Sequence, residues 1–80
     1  MPTVDRKGPY RFHFYSDEGF EPPHIHVRHE GTDCKFWLHP VALAMNRGVP
    51  LHWLNEIEKI IREKESVYLR KYHEHHRRQF

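Results

Sequence analysis

The hydrophobic period of this chain changes once, near residue 50, and that change limits its folds more than any other feature. Before it, Tyr10, Phe12 and Phe14 interleave with Arg11, His13 and Tyr15, and Ile25 and Val27 with His24, His26 and Arg28. Cys34, Phe36 and Leu38 then interleave with Lys35 and Trp37. After Pro50, the residues Leu51, Leu54, Ile57, Ile61, Tyr68 and Tyr72 recur at threes and fours, with Ile60 and Val67 widening the stripe. A period of two puts alternate side chains on opposite faces of a strand; threes and fours draw one stripe along a helix. The chain therefore reads as α+β, strands first and helix last.

The punctuation sets the boundaries. Strands are expected over about 9–15, 24–30 and 33–39, separated by Ser16-Asp17-Glu18-Gly19 and by Gly31-Thr32-Asp33, both made of turn residues. Pro22-Pro23 forces an extended approach to the second strand. Pro40 stands where a first helical residue fits, so Val41 to Met45 is expected as a short helix over about 40–46, ended by Gly48. The long helix runs over about 50–76, with Glu58–Arg62 and Lys59–Glu63 as i,i+4 pairs on its wet side. The expected architecture is a small antiparallel three-stranded sheet with a short helical turn and a long C-terminal helix packed on one face, in one domain spanning 1–80.

Composition narrows the function classes. Thirteen Lys and Arg against 11 Asp and Glu leave a net charge of +2, too little to demand a nucleic-acid partner, while the 14% aromatic share argues for a packed chain. A domain of this size buries only about 60% of its unfolded surface, so a partner or a homodimer contact would help it. A lone cysteine, Cys34, forms no intramolecular disulfide and suits a cytoplasmic setting. No apolar run of about 18 residues predicts a spanning helix, and Met1 to Lys7 carries no apolar signal core, so no membrane association is expected.

Residues two apart on a strand project together, so His24, His26 and Arg28 form one row, and an antiparallel first strand brings Arg11, His13 and Tyr15 beside it. Two imidazoles at that spacing suit general acid and base work on a phosphodiester, with a guanidinium stabilising the phosphoryl charge and an aromatic ring stacking a base. His24, His26 and Arg28 are the catalytic candidates; Arg11, His13, Tyr15 and Lys35 are the substrate-binding ones. Such an activity would be a metal-independent ribonuclease-like one, so no cofactor is expected. The row also admits a bland reading, in which the histidines simply occupy the exposed side of a sheet. A third reading makes His24 and His26 ligands of a divalent metal. Cys34 shares the apolar strand face and reads as a core thiol. The ending YHEHHRRQF lacks the histidine pair four apart of a metalloprotease helix, since Arg77 stands where the second histidine would; His73 and His76 fall three apart.

The opening MPTV, the run YRFHFYSDEG leading into EPPHIHV, and KFWLHPVALAMNRG before a long helix resemble the bacterial domain of unknown function 4160 family. The resemblance spans about residues 1–72, and Glu21 to Val27 is its most specific part. It implies little chemistry. Members are often encoded beside another small uncharacterised family, which suggests a toxin–antitoxin module with a neighbouring protein as partner. His24 and His26 match the family motif. Pro50 departs from the serine-like cap usual there, and the histidine-rich ending matches no family pattern. Together these readings make RNA the expected ligand, bound or cut on a His/Arg-rich sheet face. The alternatives are a non-catalytic protein–protein module, dimeric or partner-bound, and a metal-binding protein.

Overall fold

In the computed structural model, residues 3–15 and 20–77 are described. Five strands precede two helices: β1 (Thr3–Lys7), β2 (Tyr10–His13), β3 (His24–His29), β4 (Thr32–Leu38), β5 (Val41–Arg47), α1 (Leu51–Glu63) and α2 (Glu65–Arg77). The strands form one antiparallel sheet in the order β1-β2-β3-β4-β5, each paired with its neighbour in sequence.

This corrects the three-stranded, single-helix expectation at three places. The first is β1, a strand with too few apolar residues to show alternation. Gly8, at φ +59°, reverses the chain so that Lys7 pairs with Tyr10; the left-handed backbone is one that glycine adopts freely. The second is β5, where a short helix was expected. Val41, Ala42, Leu43, Ala44 and Met45 include strong helix formers, but they lie beside the free edge of β4. Leu38 pairs directly with Val41 there, and the pairing continues to Asp33 and Arg47 with one irregularity near Ala44. An unpaired edge offers a row of backbone partners that outweighs a few tenths of a kcal/mol of local preference per residue.

The third correction is the break in the long helix. Lys64 leaves helical geometry at φ −113°, ψ 20°, although its N–H still donates to Ile60 and Ile61 and its carbonyl still accepts from Tyr68. The Lys64 ammonium and the Tyr68 hydroxyl both reach the same Asp5 carboxylate oxygen, each at 2.8 Å, so the bend sits where β1 is tied to the helices. Burial alone would raise the Asp5 carboxyl, but these hydrogen bonds and the Lys64 charge outweigh it and hold it below the usual range.

The core lies between the helices and one face of the sheet. Tyr10, Phe12, Ile25, Val27, Cys34, Phe36, Leu38 and Val41 supply the sheet side, with Ile57, Ile61, Tyr68 and Tyr72 from the helices. Fully burying a large apolar side chain stabilises by about 1.5–3 kcal/mol, so these residues carry the fold. Leu51, first of the stripe positions, is instead 71% exposed.

Candidate functional site

The other face of the sheet is polar, and strand register arranges it in rows. Arg6 on β1 lies opposite Arg11 on β2, Arg11 opposite Arg28 on β3, Arg28 opposite Asp33 on β4, and Asp33 opposite Arg47 on β5. Four arginines and one aspartate thus cross the whole sheet in a line. At about 4.8 Å between strands the line is about 19 Å long. All four arginines are exposed, and among the described residues none is held in an ion pair. Like charges directly opposite one another destabilise a sheet. Arg11 faces an arginine on both sides, so folding gains nothing from a charge there, whereas Asp33 stands between Arg28 and Arg47 and offsets part of the repulsion.

The next row contains His13, His26, Lys35 and Met45, again in direct register. The His13 and His26 rings stack at 5.6 Å and 17° between planes. Tyr15, from the β2–β3 connection, meets both edge-on, at 5.0 Å and 4.3 Å. Lys35 is ion-paired to Glu21 of the same connection and stands over the Trp37 ring at 4.9 Å. His24 begins the third row, opposite Trp37. Its ring lies 5.4 Å from His26 and 5.7 Å from Tyr72 of α2, and its Nδ1 is 2.8 Å from the Pro22 carbonyl.

The histidines are therefore not on a wet face. His24, His26 and His13 are 1%, 4% and 5% exposed, and both sides of β3 are buried from His24 to Val27. Alternation in the sequence distinguishes the two sides of a strand, but an aromatic ring and a connecting segment laid over the polar side bury it as well. Arg11 and Arg28 stay exposed, while Tyr15 and Lys35 are half-buried. Arg6 and Arg47 escaped the sequence reading because they lie on the two strands it missed. Their signal is arithmetic: tight antiparallel turns pair residues of constant sum, which carries Arg6 to Arg11 across Gly8-Pro9.

Burial decides the chemistry of the remaining candidates. The Cys34 thiol is pushed up to about 12 by burial, with the Asp33 charge adding to it, so it is a protonated core group. Burial and a 2.6 Å hydrogen bond donated to Glu56 raise Tyr10 to about 12. The His13 imidazole is held below the ordinary histidine range by burial first, then by the nearby His26 and Arg28 charges. A hydrogen bond to the Arg11 backbone and the Asp33 charge work the other way. In the tail, His73 is exposed whereas His76 is buried against Tyr72 at 4.2 Å. Among the described residues, no group of three or more His, Cys, Asp or Glu is arranged to hold a metal ion.

The sequence profile of a domain of unknown function, DUF4160, matches residues 10–73. The chain belongs to the DUF4160 family. The match takes in β2 to β5, α1 and most of α2, and so includes Arg11, Arg28 and Arg47 together with the buried His13, His24 and His26. It begins after β1 and Arg6. Comparison with curated proteins and with solved structures gave no match. None of the helices among the described residues is long and apolar enough to cross a membrane.

Proposed function

We propose that this DUF4160 chain binds RNA by its phosphate backbone on the polar face of the sheet and does not cleave it. The arginine row carries this reading. Four exposed guanidinium groups stand in register, and the adjacent like charges of Arg6, Arg11 and Arg28 cost stability, an arrangement that suits a line of phosphates. Guanidinium groups also fit phosphate oxygens in pairs. The cleavage reading requires His24 and His26 to meet a phosphodiester, and both rings are covered by neighbouring side chains. General acid–base groups need hydrogen-bond reach to the substrate. In the toxin–antitoxin arrangement that the family resemblance implies, the chain would be the RNA-directed component, and its neighbour would act by covering this face.

Fluorescence anisotropy with single-stranded RNA oligonucleotides over a salt series tests the reading. Four phosphate contacts give a log–log salt slope of about −2.8, a loss of about fiftyfold in affinity between 50 and 200 mM salt. Replacing Arg11 and Arg28 by Ala should flatten the slope by about 1.4 and weaken binding. Equal binding by that variant would remove the reading. Cleavage by wild-type protein that is lost in His24→Ala and His26→Ala would restore the catalytic alternative.

A further inference from the structure

We infer that His13 couples occupancy of the arginine row to proton uptake, so that a polyanion bound across Arg11 and Arg28 draws a solvent proton onto the His13 ring and binds more tightly as pH falls. This rests on the RNA-binding reading and adds a regulation to the same face.

The geometry places His13 for this role. It is two residues beyond Arg11 on β2, on the same face, directly opposite His26 and one step from Arg28. Among the described residues, its Nε2 is buried without a hydrogen-bond partner, so a basic nitrogen with an open lone pair lies beside the row that would hold phosphates. The charged and titratable groups around it come from every adjoining element. Its own strand and the connection beyond bring Arg11 and Tyr15; β3 brings His26 and Arg28; β4 brings Asp33 and Lys35. The opposite residue on β1 is Thr3, which is uncharged.

In the free protein, burial, His26 and Arg28 oppose a charge on His13, in that order. Burial persists when a ligand binds. The Arg28 contribution does not persist, because a phosphate paired with that guanidinium cancels its field and adds negative charge of its own. The balance at His13 then moves toward the imidazolium, already favoured by the Arg11 backbone and Asp33. Linkage is reciprocal: if the anion promotes protonation, protonation promotes anion binding by the same factor. Two other polar groups on this face are committed elsewhere. Lys35 is engaged by Glu21, and Nδ1 of His24 lies against the Pro22 carbonyl.

The test is isothermal titration calorimetry of the whole chain with a uridine-only single-stranded oligonucleotide, whose bases do not titrate between pH 5.5 and 8. It is run at several pH values in two buffers of different ionisation heat. Affinity should rise about threefold for each pH unit lowered, tenfold per unit being the limit for one proton, with net proton uptake below one per complex. In His13→Gln, affinity should lose this pH dependence, while His52→Gln, an exposed histidine on α1, should keep it. A third arm needs no RNA: Arg28→Gln should raise the pH midpoint of the His13 ring signals in NMR. Binding with no proton uptake, or uptake retained in His13→Gln, overturns the proposal and leaves the RNA reading intact. Failure of the oligonucleotide to bind at any pH overturns both.

Discussion

The two faces of this sheet are built from the same five strands by opposite rules. On the helix side, Phe12, Ile25, Val27, Cys34, Phe36 and Leu38 are almost wholly buried and pack against Ile57, Ile61 and Tyr68. Every residue there contributes to folding. On the other side, a line of exposed arginines runs beside a buried histidine stack, and like charges are set against one another. The difference separates what the chain needs in order to fold from what it carries at some cost to folding. It also shows that polar and exposed are not synonyms, since the histidines of the second face are as buried as much of the core.

The comparison can be broken most forcefully on the apolar side. Phe36→Ala should destabilise the protein by about 3–5 kcal/mol in urea denaturation, a large part of the 5–15 kcal/mol typical of a domain. A loss under about 1 kcal/mol would mean that the helices do not pack on this face. The tie between β1 and the helices is next. Asp5→Asn removes the charge that Lys64 pairs with and weakens the acceptor of Tyr68, for a loss of about 1–2 kcal/mol. Because the folded state holds the Asp5 carboxyl low, its contribution is present above the unfolded value of about 3.9 and is lost as pH falls through the folded one. Thermal melts between pH 2 and 5 should therefore be flatter for the Asn variant than for wild type.

On the arginine side the expected sign reverses. Arg11→Thr relieves two like-charge neighbours and introduces a good strand former, so stability should rise by about 0.2–1 kcal/mol while RNA affinity falls. A variant that loses both would show Arg11 to be structural. The smallest effect belongs to the helix surface. Glu58→Ala breaks an exposed pair with Arg62 at 3.0 Å and should cost about 0.2–0.5 kcal/mol in the same denaturation assay, disappearing in high salt.

Much of the core was legible because it is written in periods. The alternation through Phe12, Ile25, Val27, Cys34 and Phe36, and the spacing of Ile57, Ile61, Tyr68 and Tyr72, mark residues that the structure buries together. The arginine row was half legible: Arg11 and Arg28 follow from the antiparallel pairing of two recognisable strands, whereas Arg6 and Arg47 need strands with no alternation to announce them. The histidines were misplaced, because the alternation puts Tyr15 on the same face as His26 but does not show that its ring meets His26 edge-on and helps to bury it.

By itself the sequence determined the order of strands before helices, the identity of the apolar face and the family, since these depend on local spacing and on residues read in place. Only the tertiary structure decided that Val41 to Arg47 is a strand, that the helix bends at Lys64 over Asp5, and that His13, His24 and His26 are buried while four arginines stay in water. The physical reason is common to all of these. Each depends on a partner brought in from elsewhere in the chain: the open edge of β4, the carboxylate of β1, the ring of Tyr15. A local pattern records a residue's preference, and the partner it meets decides the outcome.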